Sequence, residues 1–514
     1  MRRLPNGWAS TPLGELVSLR TGPFGSALHQ SDYVREGTPL VNPMHLVDGR
    51  IRPSPEMSVP AQMVEQLSDY KLRSGDVVLG RRGEMGRCAV VSQREEGWLC
   101  GTGSLIVRPE RRLLDPSYLQ RLLTSRSVVD YLLAASVGST MANLNQQHLL
   151  ALDVSLPPLA EQTRIVEKLE ELLSDLDAGV AELKAAQAKL QHYRQSLLKA
   201  AVEGSLTAAW REAHPAPEES GADLLARILR ERRARWEAQQ LAKFEAQGKA
   251  PTKGWQGKYP EPASLDTNAL DALPNSWVWA SVEQLGTVQL GRQRSPDKLG
   301  GANPTPYVRA ANIREGGIDL ADVLYMDFSA SERITFALKP GDVLLTEASG
   351  SPEHVGRPAI WRDGTDLYCF QNTVLRFQSH LLSPEFAYFS FLAMQKLGVF
   401  RRLSGGVGIN HLSAGKFSTL PVPLPPVREQ LEIVRLLTDA FALCDRQLAA
   451  IERVESQSTA QRQNLLRAAF AGQLVPQDPA DEPAAALLAR IRAERAAAGG
   501  GTRARRGRPA KEVS

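Results

Sequence analysis

Several short stretches of this chain combine arginine, amide and hydroxyl side chains with the glycine or proline of a turn. Such side chains on exposed loops can bond to flat polar edges, because arginine donates two parallel hydrogen bonds and asparagine or glutamine both donates and accepts. On nucleic-acid bases, this geometry makes arginine favour guanine and makes asparagine or glutamine favour adenine. The candidates in the first half of the chain are Arg81, Arg82, Arg87, Ser139, Thr140 and Asn143. Those in the second half are Arg292, Gln293, Arg294, Arg309, Asn312, Ser349, His354 and Arg357.

Each of these candidates also has an ordinary structural explanation. A single arginine is more often a solvated surface residue or a phosphate contact than a residue that distinguishes bases. The stretch from Asn143 to His148 could instead cap the start of a helix. Two repeated dipeptides, Gly75-Asp76 and Gly341-Asp342, are typical of β-turns and are not counted among the candidates.

The sequence carries no recognisable catalytic or metal-binding signature. Gly101-Thr-Gly103 and Gly406-Val-Gly408 lack the other glycines of a dinucleotide or methyl-donor fingerprint. Ala414-Gly-Lys-Phe-Ser418 lacks the first glycine and the hydroxyl residue of a phosphate-binding loop. Asn303-Pro-Thr-Pro-Tyr307 has an inserted threonine relative to the Asn-Pro-Pro-Tyr loop of amino-methyltransferases. The cysteines form no Cys-x-x-Cys pair, so neither a zinc site nor a disulfide framework is indicated. Together, the missing signatures favour recognition over catalysis, and we expect no catalytic residue, no metal site and no cofactor in this chain.

The composition is that of a globular protein with substantial hydrophobic cores. The chain has 514 residues, of which 43% are hydrophobic, enough for about two to four domains. Its net charge of +4 is compatible with a polyanionic partner but is also ordinary for a cytosolic protein. No apolar run follows Met1-Arg-Arg-Leu4, and no window has the length of a membrane helix. We expect a cytoplasmic protein with neither a signal peptide nor a membrane helix.

Residues 1–157 predict an α+β domain. Short β-branched runs such as Val77-Val-Leu79 and Ser104-Leu-Ile-Val107 are bounded by turn residues, as strands usually are. The stretch from Asp115 to Leu123 has a capping aspartate, a proline in the first turn and helical spacing of its apolar residues. The domain is predicted to end at Pro157-Pro158, because proline is favoured in the first turn of a helix.

A long heptad pattern follows this domain. Its leucine line consists of Leu169, Leu176, Leu183, Leu190 and Leu197. The predicted companion line consists of Ile165, Leu172, Ala186, Tyr193 and Ala200, with Gly179 as its weak point. The repeat predicts a coiled-coil helix of about 45 residues, about 70 Å long at 1.5 Å per residue. An amphipathic helix in a globular core is the alternative, but such helices seldom keep a seven-residue period over this length.

The same pattern occurs a second time. Leu156-Pro-Pro-Leu-Ala-Glu-Gln162 returns as Leu424-Pro-Pro-Val-Arg-Glu-Gln430, and Leu4-Pro-Asn-Gly-Trp8 returns as Leu273-Pro-Asn-Ser-Trp277. The second seam consists of Leu437, Cys444, Ile451, Ser458 and Leu465. Polar residues in a seam weaken it but fix register and partner, so we expect the two long helices to pair with each other. The chain is predicted to be a tandem duplication of one globular domain and one long helix.

These patterns divide the chain into consecutive segments. The predicted boundaries are 1–157 for the first globular domain, 158–247 for the first long helix and a following polar helix, 248–272 for a linker, 273–425 for the second globular domain, 426–471 for the second long helix, 472–498 for a linker and short helix, and 499–514 for a basic disordered tail. The tail contains Arg506-Gly-Arg-Pro509, which matches the core of a minor-groove-binding arm. The alternative is a nonspecific basic tail that adds salt-dependent affinity.

A globular domain followed by Leu-Pro-Pro-x-x-Glu-Gln and a leucine-heptad helix, with the whole unit then repeated, resembles the specificity subunit of type I restriction-modification systems. The resemblance covers residues 1–474. It implies two target-recognition domains, each for one half of a split double-stranded DNA site. It also implies an antiparallel coiled coil with pseudo-two-fold symmetry that sets their spacing. The partners implied are methyltransferase subunits, expected to be two, and restriction subunits that translocate and cleave DNA. S-adenosylmethionine, ATP and Mg²⁺ would then belong to those partners, and this chain would be non-catalytic.

The two globular domains differ more than the two helices do. Gly80-Arg-Arg-Gly-Glu-Met-Gly-Arg87 stands where the second half has Thr346-Glu-Ala-Ser-Gly-Ser-Pro-Glu-His-Val-Gly-Arg357. Unlike domains predict unlike half-sites and therefore an asymmetric target. One alternative is a coiled-coil protein–protein adaptor without DNA specificity, which salt-dependent, sequence-selective binding to duplex DNA would exclude. The other is an enzyme with unrecognised sites, for example a fused methyltransferase, which methyl-donor binding by the chain alone would reveal.

Overall fold

A computed structural model describes residues 4–23, 28–135, 144–262, 264–293, 304–403 and 410–499 of the chain. The chain divides into two compact units. Unit 1 comprises Met1–Lys184 and Glu452–Ser514, and unit 2 comprises Ala185–Ile451. Each unit therefore contains one globular domain and a part of both long helices, and neither unit coincides with one sequence repeat.

Unit 1 contains a four-stranded antiparallel sheet and three smaller groups of strands. Its strands are β1 (Ala9–Pro12), β2 (Val17–Thr21), β3 (Thr38–Val41), β4 (Leu46–Val47), β5 (Arg50–Ile51), β6 (Ser58–Val59), β7 (Val77–Gly80), β8 (Cys88–Val90), β9 (Leu99–Cys100), β10 (Ser104–Pro109) and β11 (Asp153–Leu156). The main sheet has the order β2-β10-β7-β8, and a second group has the order β6-β3-β9. Strand β4 pairs with β5, and β1 pairs with β11 in a register that sets Ala9 opposite Leu156. The last pair brings the two ends of the globular domain together beside the first long helix.

Unit 2 repeats this arrangement and adds one strand pair, β19-β23. Its strands are β12 (Val278–Ser281), β13 (Gly286–Leu290), β14 (Pro304–Val308), β15 (Ile313–Arg314), β16 (Gly317–Ile318), β17 (Leu324–Asp327), β18 (Val343–Thr346), β19 (Ala348–Ser349), β20 (Pro358–Ile360), β21 (Cys369–Phe370), β22 (Val374–Ser379), β23 (Asn410–His411) and β24 (Pro421–Leu424). The main sheet has the order β13-β22-β18-β20, the second group the order β17-β14-β21, and the pairs are β15-β16, β12-β24 and β19-β23. This shared strand order confirms the prediction of a duplicated α+β domain.

Helices of very different length connect and flank these sheets. They are α1 (Ala61–Gln66), α2 (Pro116–Leu123), α3 (Arg126–Ala135), α4 (Gln146–Leu150), α5 (Leu159–Glu203), α6 (Ala208–Ala213), α7 (Gly221–Ala246), α8 (Val282–Leu285), α9 (Ala330–Phe336), α10 (Pro384–Lys396), α11 (Val399–Leu403), α12 (Ala414–Ser418), α13 (Val427–Phe470) and α14 (Ala484–Gly499). The two long helices are α5, with 45 residues, and α13, with 44 residues. Both extend from one unit into the other, because the division of the chain falls within each of them.

Both long helices contribute to the hydrophobic core of each unit. In unit 1, Leu169 of α5 and Ala469 of α13 belong to the core that also contains the main sheet. In unit 2, Leu198 of α5 and Leu437 of α13 have the corresponding place. Burying a leucine side chain is worth roughly 1.5–3 kcal/mol, so each unit is stabilised by segments from both sequence repeats.

The predicted leucine lines lie on the inward sides of the long helices. In α5, Leu169 is fully buried, and the half-buried members of the line are Leu176, Leu183, Leu190 and Leu197. In α13, the buried members are Leu437, Cys444 and Ile451, and the half-buried ones are Ser458 and Leu465.

The predicted companion line of α5 is confirmed in part. Ile165 is buried and Leu172, Ala186 and Ala200 are half-buried, whereas Tyr193 is 50% exposed and Gly179 is also exposed. A second line, four residues after each leucine, is buried or half-buried at every position and consists of Leu173, Val180, Gln187, Arg194 and Ala201. A seam alternates steps of three and four residues, so either side of the leucine line is geometrically possible. Two members of this second line, Gln187 and Arg194, are polar, so the hydrophobic pattern did not indicate it.

A repeated ion pair links the long helices within each unit. Asp177 of α5 pairs with Arg462 of α13 in unit 1, and Arg194 of α5 pairs with Asp445 of α13 in unit 2. The sequence repeat relates Asp177 to Asp445 and Arg194 to Arg462, so the two pairs are copies of one contact. The Arg194 guanidinium also lies over the ring of Phe441, 4.8 Å from its centroid. A polar contact at the edge of a seam favours one register over its neighbours.

Further contacts show that the helices are antiparallel within each unit. In unit 1, Arg164 near the start of α5 pairs at 2.7 Å with Asp481, beyond the end of α13. In unit 2, Thr207 beyond the end of α5 donates a 2.6 Å hydrogen bond to Glu429 in the first turn of α13. In both units, moving forward along α5 means moving backward along α13.

The two repeated sequence motifs contact each other. The indole Nε1 of Trp8 donates to both carboxylate oxygens of Glu161, at 3.1 and 3.0 Å. In unit 2, the indole Nε1 of Trp277 donates to Glu429 Oε2 at 2.8 Å. Both glutamates lie in the first turn of a long helix, where the positive end of the helix dipole favours a carboxylate. One contact therefore explains both the Leu-Pro-Asn-x-Trp motif and the glutamate of Leu-Pro-Pro-x-x-Glu-Gln.

The glutamine of the second motif satisfies backbone groups at the same junction. Gln162 Nε2 donates to the carbonyl of Pro157 at 3.0 Å, and its Oε1 accepts from the N–H of Asp115 at 2.8 Å. Gln430 Nε2 donates to the carbonyl of Pro425 at 2.9 Å. Proline lacks a backbone N–H but keeps its carbonyl, and a buried carbonyl needs a hydrogen-bond donor of this kind.

The two glutamates differ in their surroundings. Burial raises the pKa of Glu161, and the hydrogen bond from Trp8 only partly opposes this effect. Glu429 accepts hydrogen bonds from Trp277 and Thr207 and also forms an ion pair with Arg211. The carboxylate of unit 2 thus has a direct cationic partner.

Within the predicted linker of residues 248–272, the segment 255–260 packs against helix α7. The ring of Trp255 stacks on Trp236 with centroids 5.8 Å apart, and Tyr259 meets Trp236 edge-on at 5.4 Å. Arg232 Nη1 donates to the carbonyl of Pro260 at 2.8 Å. The aromatic residues of this segment and of the polar helix therefore form a small cluster that the glycine- and proline-rich composition did not indicate.

Glu429→Gln is expected to lower the free energy of unfolding of the chain by about 1–3 kcal/mol, because it removes a buried charged acceptor and leaves Arg211 without its carboxylate. Glu161→Gln, the matched change in unit 1, should cost less. Burial raises the pKa of Glu161, so its ionised form opposes folding, and this penalty disappears as the pH falls through the raised value. Glu161→Gln should therefore be better tolerated at pH 7 than at pH 4.5. Chemical denaturation at both pH values measures this, and equal effects of the two variants would contradict the account.

Candidate nucleic-acid interface

Two hairpin connections at corresponding ends of the main sheets carry most of the described candidates. Loop A, residues 81–87, joins β7 to β8, and loop B, residues 347–357, joins β18 to β20. Each loop closes in the same way, because Gly80 N–H donates to the Arg87 carbonyl at 2.9 Å and Thr346 N–H donates to the Arg357 carbonyl at 3.1 Å. The two loops are therefore structurally equivalent although their sequences differ.

Loop A places two arginines side by side. The Arg81 N–H donates to the main chain of Gly103 at 2.8 Å, and its carbonyl accepts from Leu144 N–H at 3.0 Å. Burial, followed by the positive charge of Arg82, lowers the pKa of Arg81. Arg82 is exposed, and within the described ranges its side chain has no ion-pair partner. A bound anion would relieve the repulsion between the two guanidinium groups, which is the property expected of a phosphate or base contact.

The third arginine of loop A is held within the loop. Arg87 pairs with Glu84 three residues before it, and both side chains are more than one-third exposed. Exposed pairs of this kind are worth only about 0.2–1 kcal/mol. A phosphate group could therefore replace Glu84 as the partner of Arg87 at little cost.

Of the three candidates in loop B, one is exposed and two, Ser349 and Arg357, are half-buried. Ser349 lies in β19, opposite Asn410 of β23, and its hydroxyl accepts from Ser351 N–H at 3.2 Å. His354 is exposed. Arg357 is half-buried, and its Nη1 donates to the carbonyl of Ile313 at 3.3 Å. This bond attaches the end of loop B to β15, so Arg357 has a structural contact in addition to its predicted role.

The expectation that Asn312 lies on an exposed loop is wrong, because it is only 2% exposed. Its Nδ2 donates to the carbonyls of Asp319 and Asp322, both at 2.9 Å, and its Oδ1 accepts from Arg309 N–H at 3.0 Å. In unit 1, His45 has the corresponding place, since its Nδ1 accepts the backbone N–H three residues before it at 3.2 Å. A tight turn after a buried strand leaves backbone groups that need a partner, and Asn312 satisfies them.

The expectation of exposure is also wrong for Arg292, which is 7% exposed. Its Nε donates to Glu332 Oε1 at 2.8 Å and its Nη1 to the carbonyl of Asp327 at 2.6 Å, while the guanidinium lies 4.9 Å from the ring centroid of Phe328. A buried arginine is tolerated when its donors are satisfied in this way. The neighbouring glycine suggested a surface turn, but the long side chain folds inward.

The remaining described candidates are Gln293 and Arg309. Gln293 is exposed. Arg309 pairs with Asp322 and keeps about a quarter of its side chain exposed. The exposure of Gln293 and the ion pair of Arg309 do not test a role in base recognition, so the roles of both residues remain predictions.

Four predicted site residues, Ser139, Thr140, Asn143 and Arg294, lie outside the described residues, as does the basic stretch Arg506 to Pro509. The alternative role proposed for the stretch that begins at Asn143 is partly observed, because Asn145 caps α4. Its Oδ1 accepts from Gln147 N–H at 2.9 Å.

Sequence reasoning missed two polar residues at the edge of loop B, Glu347 and His411. His411 Nδ1 lies 3.2 and 3.3 Å from the two carboxylate oxygens of Glu347. The signal was present, because aligning the closing Gly-Arg pairs and the preceding strands of loops A and B sets Glu347 opposite Arg81. It was overlooked because acidic residues were not considered as base contacts.

Metal-ligand clusters and cysteines are the other groups of the described residues that bear on chemistry. No group of three or more histidine, cysteine, aspartate or glutamate side chains among them could hold a metal ion. Burial raises the pKa of Cys88 and Cys369 to about 12, so these thiols are protonated at neutral pH and are poor nucleophiles. In the described part of the chain, every helix is too short or too polar to cross a membrane.

The comparison with protein families identifies the relationship. The family model of the type I restriction modification DNA specificity domain matches residues 5–185 and 275–453. The chain belongs to this family. The two matches cover both globular domains and most of both long helices, so the alternative of an unrelated coiled-coil adaptor is not favoured.

Individual relatives are similar over nearly their whole length. The chain is 24% identical over 519 residues to the StySPI specificity subunit of Salmonella potsdam and 25% identical over 526 residues to the EcoKI specificity subunit of Escherichia coli K12. Each alignment covers 97% of both proteins.

Solved structures share the fold. One, from a study of complex assembly and conformational transition of the type I R-M system, has a TM-score of 0.64 at 18% identity, with 92% of this chain and 100% of that chain covered. The HsdS subunit of Thermoanaerobacter tengcongensis has a TM-score of 0.50 at 19% identity, with 92% and 98% covered. At this level of identity, the likeness establishes the fold.

Arg82→Ala is expected to weaken binding of the chain to duplex DNA and to reduce the slope of log affinity against log salt by about 1, the effect of losing one phosphate contact. Arg94→Ala is the matched control, because Arg94 is exposed beyond the opposite end of β8. Affinities measured across a salt series decide the question. A slope unchanged in Arg82→Ala, or reduced equally in both variants, would contradict the placement of DNA at loop A.

Proposed function

We propose that this chain is the specificity subunit of a type I restriction-modification complex and that it recognises an asymmetric, bipartite DNA sequence. The observation that carries this proposal is the repetition of one domain, with the same strand order in the main sheet and chemically different loops at the equivalent place. Such a pair of domains has the same framework for approaching duplex DNA and different side chains for distinguishing bases. The family relationship supports the DNA-recognition role.

The asymmetry of the target follows from the two loops. Loop A has three arginines, Arg81, Arg82 and Arg87, within seven residues, and arginine favours guanine. Loop B contributes Glu347, Ser349 and His354 and retains Arg357 partly in a structural contact. Side chains this different cannot favour the same bases, so the two half-sites should differ in sequence.

The long helices are proposed to set the spacing of the two half-sites. A continuous helix of 45 residues is about 68 Å long at 1.5 Å per residue. The repeated aspartate–arginine pair and the leucine lines restrain the register of α5 against α13 within each unit. A connector restrained in this way supports a fixed number of base pairs between the half-sites.

Catalysis is assigned to partner proteins. We propose that the chain associates with methyltransferase subunits, expected to be two, and with restriction subunits that translocate and cleave DNA. S-adenosylmethionine, ATP and Mg²⁺ are then bound by those partners. The absence from the sequence of dinucleotide, methyl-donor and phosphate-loop fingerprints supports this division of labour.

The experiment that tests the proposal is methylation-sensitive sequencing of the host genome, with and without the gene for this chain. A split motif with two unlike halves and a constant gap should be modified only when the gene is present. The purified chain alone should neither methylate nor cleave DNA, whereas the complex with its partner subunits should do so. Modification that persists without the gene, or a motif without a gap, would refute the proposed function.

A further inference from the structure

Glu347 in unit 2 and Arg81 in unit 1 occupy the same position in the repeated fold. Each is the first residue after the third strand in the order of its main sheet, β18 or β7, and each donates its backbone N–H to the main chain at 2.8 Å. The carbonyl of Arg81 accepts from Leu144 N–H at 3.0 Å, and the carbonyl of Glu347 accepts from Leu412 N–H at 2.8 Å. The backbone surroundings are thus repeated, while the side chain changes from a cation to an anion.

The Glu347 side chain is held in place by one specific neighbour. His411 Nδ1 is 3.2 and 3.3 Å from the two carboxylate oxygens, which means that Nδ1 carries the hydrogen in this contact. Pairing of β19 with β23 sets His411 opposite Ala348, the residue after Glu347. The Glu347 side chain is 15% exposed and that of His411 56% exposed. The carboxylate is therefore oriented by the imidazole and still reaches the surface.

A carboxylate at this position restricts what the loop can contact. Phosphate groups repel it, so proximity to duplex DNA is unfavourable unless the carboxylate accepts a hydrogen bond from a base. In the major groove, the only base donors are the exocyclic amino groups of cytosine and adenine, whereas guanine and thymine present acceptors at the corresponding place. An acidic residue thus excludes two of the four bases by its charge alone.

We propose that Glu347 is a specificity-determining residue of the second half-site and accepts a hydrogen bond from the exocyclic amino group of a cytosine or adenine. His411 is a positioning residue that orients the carboxylate. Arg81, at the equivalent position in unit 1, favours guanine in the first half-site, so the two half-sites differ at corresponding places by opposite chemistry. This inference rests on the proposed DNA-recognition function and adds the class of base contacted by one residue.

The test compares the methylated motif of the complete complex containing the original chain with that of Glu347→Gln. Glutamine keeps the size of the side chain but both donates and accepts, so it should tolerate acceptor-bearing bases as well. One position of the second half-site should change from cytosine or adenine to a degenerate base, with discrimination reduced roughly ten-fold or more. The first half-site and the gap should stay the same. Asp366→Asn is the matched control, because Asp366 is exposed in the connection between β20 and β21, away from loop B.

His411→Asn separates positioning from simple support of the strand pair. If His411 orients Glu347, this variant should broaden the same motif position as Glu347→Gln, whereas a purely structural role would lower modification at all sites without changing base frequencies. The second result would overturn the role given to His411.

The outcomes for Glu347 are equally distinct. A split motif that Glu347→Gln leaves unchanged would overturn the inference and keep the proposed function, whereas no split motif with the original chain would overturn the proposed function itself. Should Glu347→Gln abolish modification, binding to duplexes substituted at each position of the second half-site decides. Loss of discrimination at one position supports the inference, and a uniform loss over all positions contradicts it.

Discussion

A buried carboxylate that accepts a hydrogen bond from a tryptophan indole joins each globular domain to a long helix. The contact occurs twice, as Trp8 with Glu161 and as Trp277 with Glu429. Three parts of each unit meet at this contact: the end of a strand pair, the first turn of the long helix and the start of the globular domain. Because the carboxylate is buried, losing its partner leaves an unsatisfied charge, which is costly. The orientation of each domain relative to the helix that follows it therefore depends on this junction.

The two junctions are completed by different chemistry, and in each case by the segment that follows the other long helix. In unit 2, Arg211, which follows α5, forms an ion pair with Glu429. In unit 1, Asp481, which follows α13, forms an ion pair with an arginine one turn after the junction glutamate. The hydrophobic cores follow the same rule. Helix α7, which follows α5, contributes Ile228 to the core of unit 2, and helix α14, which follows α13, contributes Ile491 to the core of unit 1. Neither sequence repeat contains all the parts of one folded unit, which gives a physical reason for two repeats in one chain.

The features that the sequence predicted correctly are those that repeat. The duplicated α+β domain and the leucine lines depend on patterns of many residues, and errors at single positions do not remove such patterns. The companion line was predicted only in part, because a second buried line includes the polar Gln187 and Arg194. Arg194 is accommodated in the seam by Phe441 and Asp445.

Individual site residues were harder to predict, because exposure is not encoded in residue type. Asn312 and Arg292 have side chains suited to base contacts, yet both satisfy buried groups inside unit 2. Glu347 was missed for the opposite reason, since its importance depends on being structurally equivalent to Arg81, which only the paired backbone contacts reveal. Residue type was enough to identify candidates, but the fold determines which of the described candidates reach the surface.

The central claim is that each globular domain independently specifies one half of the target. The most direct test replaces residues 273–425 with a second copy of residues 4–157. The DNA that the complete complex then methylates is sequenced. The account predicts a gapped motif whose two halves are inverted copies of the first half-site. Retention of the original second half, or a motif unrelated to the first half-site, would contradict it.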